Sequence, residues 1–454
     1  MRRTIRQCLF RFLAVAGLGA AILVSAMAVC IAVNRRDAPP PDVRDLAPPP
    51  RPSAPANGNG WYCLREAVRD LCIPAGTSRL HSAWISGAPD PEAAHELLAS
   101  NALALAWIGR AVRDGVIAPP AERLPEDANL IGWSPISDCG RMLRFRAWVL
   151  LEEGRTNDAR EGYAASITLA RLYLACPPAN DLDALAAFTE VRNALLGLRL
   201  ASDRLGPHIV WTRFDSDLRA LSDLREARRR ASAMALANDR DQIELLYLLM
   251  SGKTNAPPNW GSPFSGILPD EATLAQGAWV ERLAIHLLNH LPPNYRLQRN
   301  RTLALMASVR RGEPPPAYAR PAPAGGSRWS ALWRQGIAPL LRLLGPNGIG
   351  EIYVMTEAGR QTFIDGGTRL AECGARGTRL VLALRRYEQA QGRLPDRLDA
   401  LAPAWIDAVP LDPYDGRPFR YLRERRLAYA VGPNRRDDGG LRNGAGDDVL
   451  FPIP

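Results

Sequence analysis

The sequence has almost no lysine. Of its 57 basic side chains, Lys253 is the single lysine. Arginine in every other basic position reads as the codon bias of a GC-rich genome, not as selection for phosphate contacts. The formal charge of +10 therefore does not identify a nucleic-acid partner, and none is expected. Aromatic side chains make up only 7% of the chain. Alternating runs of β-branched residues are scarce, which argues against an all-β fold. The seven cysteines include no CxxC pair and no Cys/His cluster, so neither a zinc-finger pattern nor a thioredoxin-like motif is present. Missing too are the GxSxG elbow, the phosphate-binding GxxxxGK[ST] loop and the dinucleotide GxGxxG turn. With 37 glycines and 39 prolines in 454 residues, the chain is neither collagen-like nor of low complexity. Its length allows two or three folding units, each with a real core.

One long uncharged apolar run does occur, at residues 12–33. As a helix its 22 residues extend about 33 Å, enough to cross a bilayer core of about 30 Å. Arg2, Arg3, Arg6 and Arg11 precede it, which places the N-terminus in the cytoplasm and the body in the periplasm of a bacterial cell. Ala26-Met27-Ala28 has the form of a signal-peptidase site. The apolar run continues through Val33 with no polar break, and this favours an uncleaved anchor in the inner membrane. From Ala38 to Ala56 there are eight prolines in 19 residues. Such a stretch reads as an extended spacer reaching up to about 60 Å.

Beyond the spacer, apolar residues recur every three or four positions from Trp61 to about Gln391, so the body is expected to be helical. The expected organisation is an anchor at 1–36, a Pro-rich linker at 37–60, an all-helical body at 61–345, and a long helix leading into a small α+β module at 346–454. Between Arg141 and Arg171, the residues Ala147, Leu150, Gly154, Ala159, Tyr163 and Ser166 alternate small and large at helical-hairpin spacing. The segment resembles a single tetratricopeptide-type hairpin. No second copy follows, so a solenoid does not. Cys63 with Cys72, and Cys139 with Cys176, are candidate disulfides; Cys373 completes the set facing an oxidising space, and free buried thiols are the alternative.

Candidate chemistry in the body is thin. His286 and His290 stand at i, i+4, but no glutamate follows the first histidine. His95-Glu96 opens like a zincin motif, yet Ala99 occupies the second ligand position. Arg228-Arg229-Arg230 lies among acidic residues and reads as a solvated helix face.

The C-terminus is more specific. Ala383, Leu384 and Tyr387 lie on the long helix, which Gly392 caps and Pro395 stops. Val409-Pro410-Leu411-Asp412-Pro413 forms a turn, Asp415-Gly416 another, and Phe419–Leu422 with Leu427–Val431 reads as an antiparallel hairpin. The chain closes on a Gly/Asp-rich stretch holding Asn434, Asp437, Asp438, Asp447 and Asp448. In this order the AL-x-x-Y, G-x-x-P and VP-x-DP steps and the final loop resemble the C-terminal module of the major pseudopilin of type II secretion. The resemblance covers about residues 378–454. It implies a small α+β module whose last loop binds calcium, with Asn434 standing where that family has aspartate. Physically, a glycine-rich loop can fold several carboxylate and carbonyl oxygens around one hard cation. The family's processing motif before the apolar helix is missing here, so assembly into a pseudopilus is not expected.

The sequence thus predicts a mainly α fold: a single transmembrane helix, a weakly tetratricopeptide-like body and a pseudopilin-like tail. The expected function is that of a non-enzymatic, periplasm-facing envelope protein acting on an unidentified envelope partner. The alternatives are an exported metal-dependent hydrolase using the four aspartates, and an accessory component of type II secretion.

Overall fold

The computed structural model describes residues 25, 37–47, 58–73, 90–118, 133–176, 181–253, 292–313, 347–441 and 446–454. The expected anchor at 12–33 and the pair His286/His290 lie outside these apart from Ser25. Among the described residues no helix is long and apolar enough to cross a membrane. The fold is mainly helical, with one small antiparallel sheet near the C-terminus. The chain divides into two compact units, Met1–Ala47 with Leu236–Gln361, and Pro48–Ala235 with Thr362–Pro454.

The helices are α1 (Gly60–Asp70), α2 (Pro91–Ser100), α3 (Ala102–Asp114), α4 (Trp133–Glu152), α5 (Thr156–Ala175), α6 (Asp181–Leu205), α7 (Pro207–Leu221), α8 (Arg225–Met250), α9 (Pro293–Arg296), α10 (Arg299–Arg311) and α11 (Gly348–Gln391). The strands are β1 (Arg420–Leu422), β2 (Leu427–Ala430) and β3 (Val449–Pro452).

In the second unit, Asn59 caps α1 by accepting from Trp61 N at 3.1 Å, and its amide also donates to Ala118 O at 2.7 Å. Gly60 follows because α1 runs against α3: a Cβ there would stand 2.7 Å from Ala111 O. Within residues 91–114 the chain forms two helices, α2 and α3, not one. The interruption is Asn101, fully buried, whose side chain accepts from Cys72 N at 2.8 Å and donates to Cys72 O at 2.8 Å. An amide that satisfies both backbone groups of a distant residue outweighs the continuation of one helix.

Helices α4 and α5 form a hairpin through Gly154, whose φ of 76° suits glycine. Its small positions face inward: Ala147, Ala159 and Ser166 are fully buried, and Gly162 lets the two backbones close on Ala147. The α4, α5 and α6 interface also encloses an ion pair, Arg144 with Glu190, both almost wholly buried. Burial pushes the Glu190 carboxyl above its ordinary range, against the pull of Arg144. Cys63, Cys72, Cys139, Cys176 and Cys373 are free thiols.

The same unit holds the tail. Residues of α11 from Thr362 onward pack beside α7 and α8: Arg228 forks onto Asp365 at 2.7 and 2.9 Å, and Glu372 accepts Leu224 N at 2.6 Å. Arg379 meets Asp215 at 2.6 Å and Asp407 at 2.9 Å. Arg386 lies over both Trp211 and Trp405, at 4.8 and 5.5 Å from the ring centroids. Beyond α11, Gly392 takes a left-handed φ of 71° and donates to Glu388 O at 2.8 Å. The sheet order is β1-β2-β3, both pairs antiparallel, with Arg420 opposite Tyr429 and Ala428 opposite Phe451. Leu380, Leu384, Leu401, Phe419, Ala430 and Phe451 form its core. At the corner of the hairpin Arg426 binds Glu388 of α11 at 2.7 and 3.0 Å, and these arginine contacts hold the Glu388 carboxyl below its usual range.

In the first unit, residues 236–250 of α8, α9, α10 and residues 348–361 of α11 enclose a core with Leu236, Ile243, Met306 and Tyr353. Leu46, on a 3₁₀ turn at Arg44–Leu46, is buried in that core, and Arg311 holds Asp45 at 2.7 Å. At the centre Arg310, 1% exposed, binds Asp239 at 2.8 Å and Gln361 at 3.0 Å.

Candidate functional site

The closing loop brings the five sequence-derived candidates into one region but gives them different work. It is wound tightly: Gly432 has φ of 67°, and a Cβ there would overlap the Asp447 carbonyl, while a Cβ on Gly446 would lie 2.6 Å from Asp438 Cβ. Residues 442–445 are outside the described set.

Asp448 is fully buried and acts as a staple. Its Oδ2 accepts Gly440 N at 2.7 Å and its Oδ1 accepts Asp438 N at 3.4 Å, while its own N–H bonds to Leu441 O at 3.1 Å. Asp437 turns toward the sheet. Its Oδ1 accepts both the Tyr429 hydroxyl and Gly439 N at 3.0 Å, and its Oδ2 lies 3.5 Å from Arg420 Nε. Burial first, and then the Asp437 carboxylate, push the Tyr429 hydroxyl up to about 12.

Asn434, Asp438 and Asp447 form a separate knot. Asn434 N donates to Asp447 Oδ2 at 3.0 Å, and its side-chain amide donates to Asp438 Oδ2 at 2.9 Å. That same Oδ2 accepts Asp447 N at 3.2 Å. These donors, the Asn434 amide foremost, hold the Asp438 carboxyl below its ordinary value. Asp447 Oδ1 is buried and meets no hydrogen-bond donor. It is the oxygen in the loop best suited to a cation. Asp437 and Asp448 are committed to the fold, and Asn434 Oδ1 accepts Arg436 N at 2.6 Å, so of the five candidates Asp447 keeps a buried oxygen without a donor. Among the described residues no group of three or more His, Cys, Asp or Glu side chains is set to hold a metal.

A comparison with models of known protein families, with curated proteins and with solved structures returns no match.

Sequence reading missed the hub of the tail, Asp412. It is fully buried; its Oδ1 accepts Tyr414 N at 2.8 Å, and its Oδ2 accepts Val431 N at 2.8 Å and the Arg420 guanidinium at 3.0 Å. The VP-x-DP turn is thus a side-chain bridge that fixes the turn to the end of β2. The Asp-Pro-Tyr-Asp-Gly spacing carried the signal, since an aspartate two residues before a free N–H forms an Asx turn. Burial raises the Asp412 carboxyl, opposed by the two backbone N–H groups and Arg420.

The remaining candidates have structural partners. His95 joins α2 to the end of α4 through Glu153 at 2.8 Å. Arg228 belongs to the fork with Asp365, and Arg229 lies 3.4 Å from Glu226.

Proposed function

We propose that this chain is a bacterial inner-membrane protein, anchored by residues 12–33 with its body in the periplasm, that works by binding an envelope partner rather than by catalysis. Its tail serves as a pseudopilin-like module and its α4–α5 hairpin as a tetratricopeptide-like element of the body. The observation that carries this reading is the wiring of the tail aspartates. Asp412, Asp437 and Asp448 direct their oxygens at the fold's own N–H, hydroxyl and guanidinium donors. A hydrolase built on Asp437, Asp438, Asp447 and Asp448 needs these carboxylates to converge on one ion, and two of the four are turned elsewhere. An accessory role beside a type II secretion apparatus is the narrower form of the same proposal.

Topology is tested with reporter fusions after Arg36 and after Pro454; a cytoplasmic C-terminus overturns the envelope reading. Crosslinking on membranes followed by capture then identifies the partner. Calcium belongs to the proposal at Asp447, with Asp438 beside it, where it stabilises the final loop. Saturating calcium raises stability by about 2.7 kcal/mol at a hundredfold excess over Kd. The full chain should therefore melt higher in calcium than in chelator, and Asp447→Asn should remove the difference. Identical curves for the unaltered protein refute the calcium site.

A further inference from the structure

A groove of about 440 Å³ opens between α3, α4 and α5 in the second unit, within the range of sites that enclose several side chains of a ligand. Its floor is apolar, built from buried Leu105 of α3 with Leu143 and Leu150 of α4. Four arginines line it, from four different places in the chain: Arg113 on α3, Arg146 on α4, Arg155 at the start of α5 and Arg213 on α7. Two of them are answered from within. Arg155 binds Asp158 at 2.7 Å, and Arg213 lies 3.6 Å from Glu161.

Arg113 and Arg146 are exposed and have no carboxylate partner among the described residues. The Arg113 guanidinium stands beside Gly109 of the same helix. Most arginines that the structure describes lie within reach of a carboxylate or a carbonyl. Two unanswered guanidinium groups beside an apolar floor are therefore a local excess of positive charge next to a surface that favours aliphatic contact.

We propose that this groove binds an acidic, leucine-bearing peptide segment of a partner protein. The guanidinium fork matches a planar carboxylate better than a point anion. Because the two unanswered forks stand on separate helices, they fit carboxylates spaced along a chain rather than one small acid. The floor between them takes aliphatic side chains from the same segment. This inference rests on the interaction reading above and names the chemistry of the partner.

The test uses the full-length protein in detergent micelles and a short fluorescein-labelled peptide of alternating glutamate and leucine, read by fluorescence anisotropy. The unaltered protein binds it, more weakly as salt is raised. The Arg113→Gln/Arg146→Gln double variant, altered only at exposed positions, binds about tenfold more weakly. Arg397→Gln, an exposed arginine on the tail, binds as the unaltered protein does. The proposal is overturned if the double variant keeps full affinity, if Arg397→Gln loses as much, or if polyglutamate without leucine or inorganic polyphosphate binds equally well. It is also overturned if crosslinking captures an envelope partner equally with the double variant, an outcome that leaves the interaction reading standing and moves the contact elsewhere.

Discussion

Replacing Gly377 by alanine tests how the tail is seated on the long helix. In an exposed helix the change is favourable by about 1 kcal/mol, because glycine has the greater backbone entropy to lose. Here the added methyl would overlap the Phe451 ring, with Cδ1, Cε1 and Cζ all inside normal contact distance. The ring has little room to retreat: Phe451 is 1% exposed, Phe419 packs at a centroid distance of 5.7 Å, and the Arg199 guanidinium lies 4.8 Å over its face. Overpacking of this kind costs up to about 3 kcal/mol. The net expectation is about 2 kcal/mol of destabilisation, or a Tm lower by roughly 4–8 °C. Phe451→Ala alone should cost about 3–5 kcal/mol. In that background the methyl enters vacated space, so Gly377→Ala should stabilise by about 1 kcal/mol. Urea unfolding of the four proteins, followed by circular dichroism, then gives a coupling of about 3 kcal/mol. If Gly377→Ala shifts both backgrounds equally, Phe451 does not rest on residue 377 and the placement of β3 against α11 is wrong.

Arg310→Met removes the buried guanidinium that lies 2.8 Å from Asp239 and 3.9 Å from Glu357, and urea denaturation should show a loss of about 3–5 kcal/mol; Arg44→Met, at an arginine whose side chain is 91% exposed, should change little. His95, next to the Pro91 carbonyl and Glu153, has its pKa raised above the ordinary histidine value, so the α2–α4 contact is fully present below about pH 6.5 and weakens as pH rises through the higher folded value. Imidazole NMR should show Glu153→Gln moving the His95 midpoint down; an unmoved midpoint removes Glu153 as a cause. Asn101→Leu removes the amide that pairs with both backbone groups of Cys72, an exposed residue that water reaches, and thermal melting should report a cost of about 0.5–1.5 kcal/mol per lost hydrogen bond.

How far the fold was legible depends on whether its cause was local. Gly154, Gly392 and the 3.6-residue periodicity announced the α4–α5 hairpin and the end of α11, because caps and amphipathic faces are written within a few residues. The β1–β2 hairpin was visible in Phe419–Val431 for the same reason. Strand β3 was not. Its four residues, Val449–Pro452, are too few to show alternation, and they become a strand only because β2 offers a free edge. The break at Asn101 has no local signal either, since its partner, Cys72, lies 29 residues away. The buried pair Arg144–Glu190 is separated by 46 residues, and no spacing rule links them.

The same distinction governs the candidate sites. The final-loop aspartates were legible as a group because glycine and aspartate cluster in sequence, but their division of labour was not. Only the fold determines that Asp448 faces Gly440 while Asp447 Oδ1 meets no donor. The α3–α4–α5 groove left no local trace, because its arginines come from four places in the chain and its floor from residues that individually read as core.

The near-absence of lysine takes on a physical meaning at this level. Whatever its genomic origin, arginine at residues 144, 310 and 379 occupies sites that lysine fills poorly, because one planar fork must satisfy several acceptors at once. Arg310 binds Asp239 and Gln361 together, and Arg379 reaches Asp215 and Asp407 while stacking 5.5 Å from Trp211. An ammonium has no plane to stack and no fixed fork to share. Among the described residues most arginines stand within ion-pair distance of the chain's own carboxylates, and the +10 of the sequence ceases to describe a uniform basic surface. What matters for recognition is the remainder, the guanidinium groups that the fold leaves unanswered. Arg113 and Arg146 stand beside the same apolar floor, and that coincidence, not the total charge, makes the groove selective for a peptide that is both acidic and aliphatic.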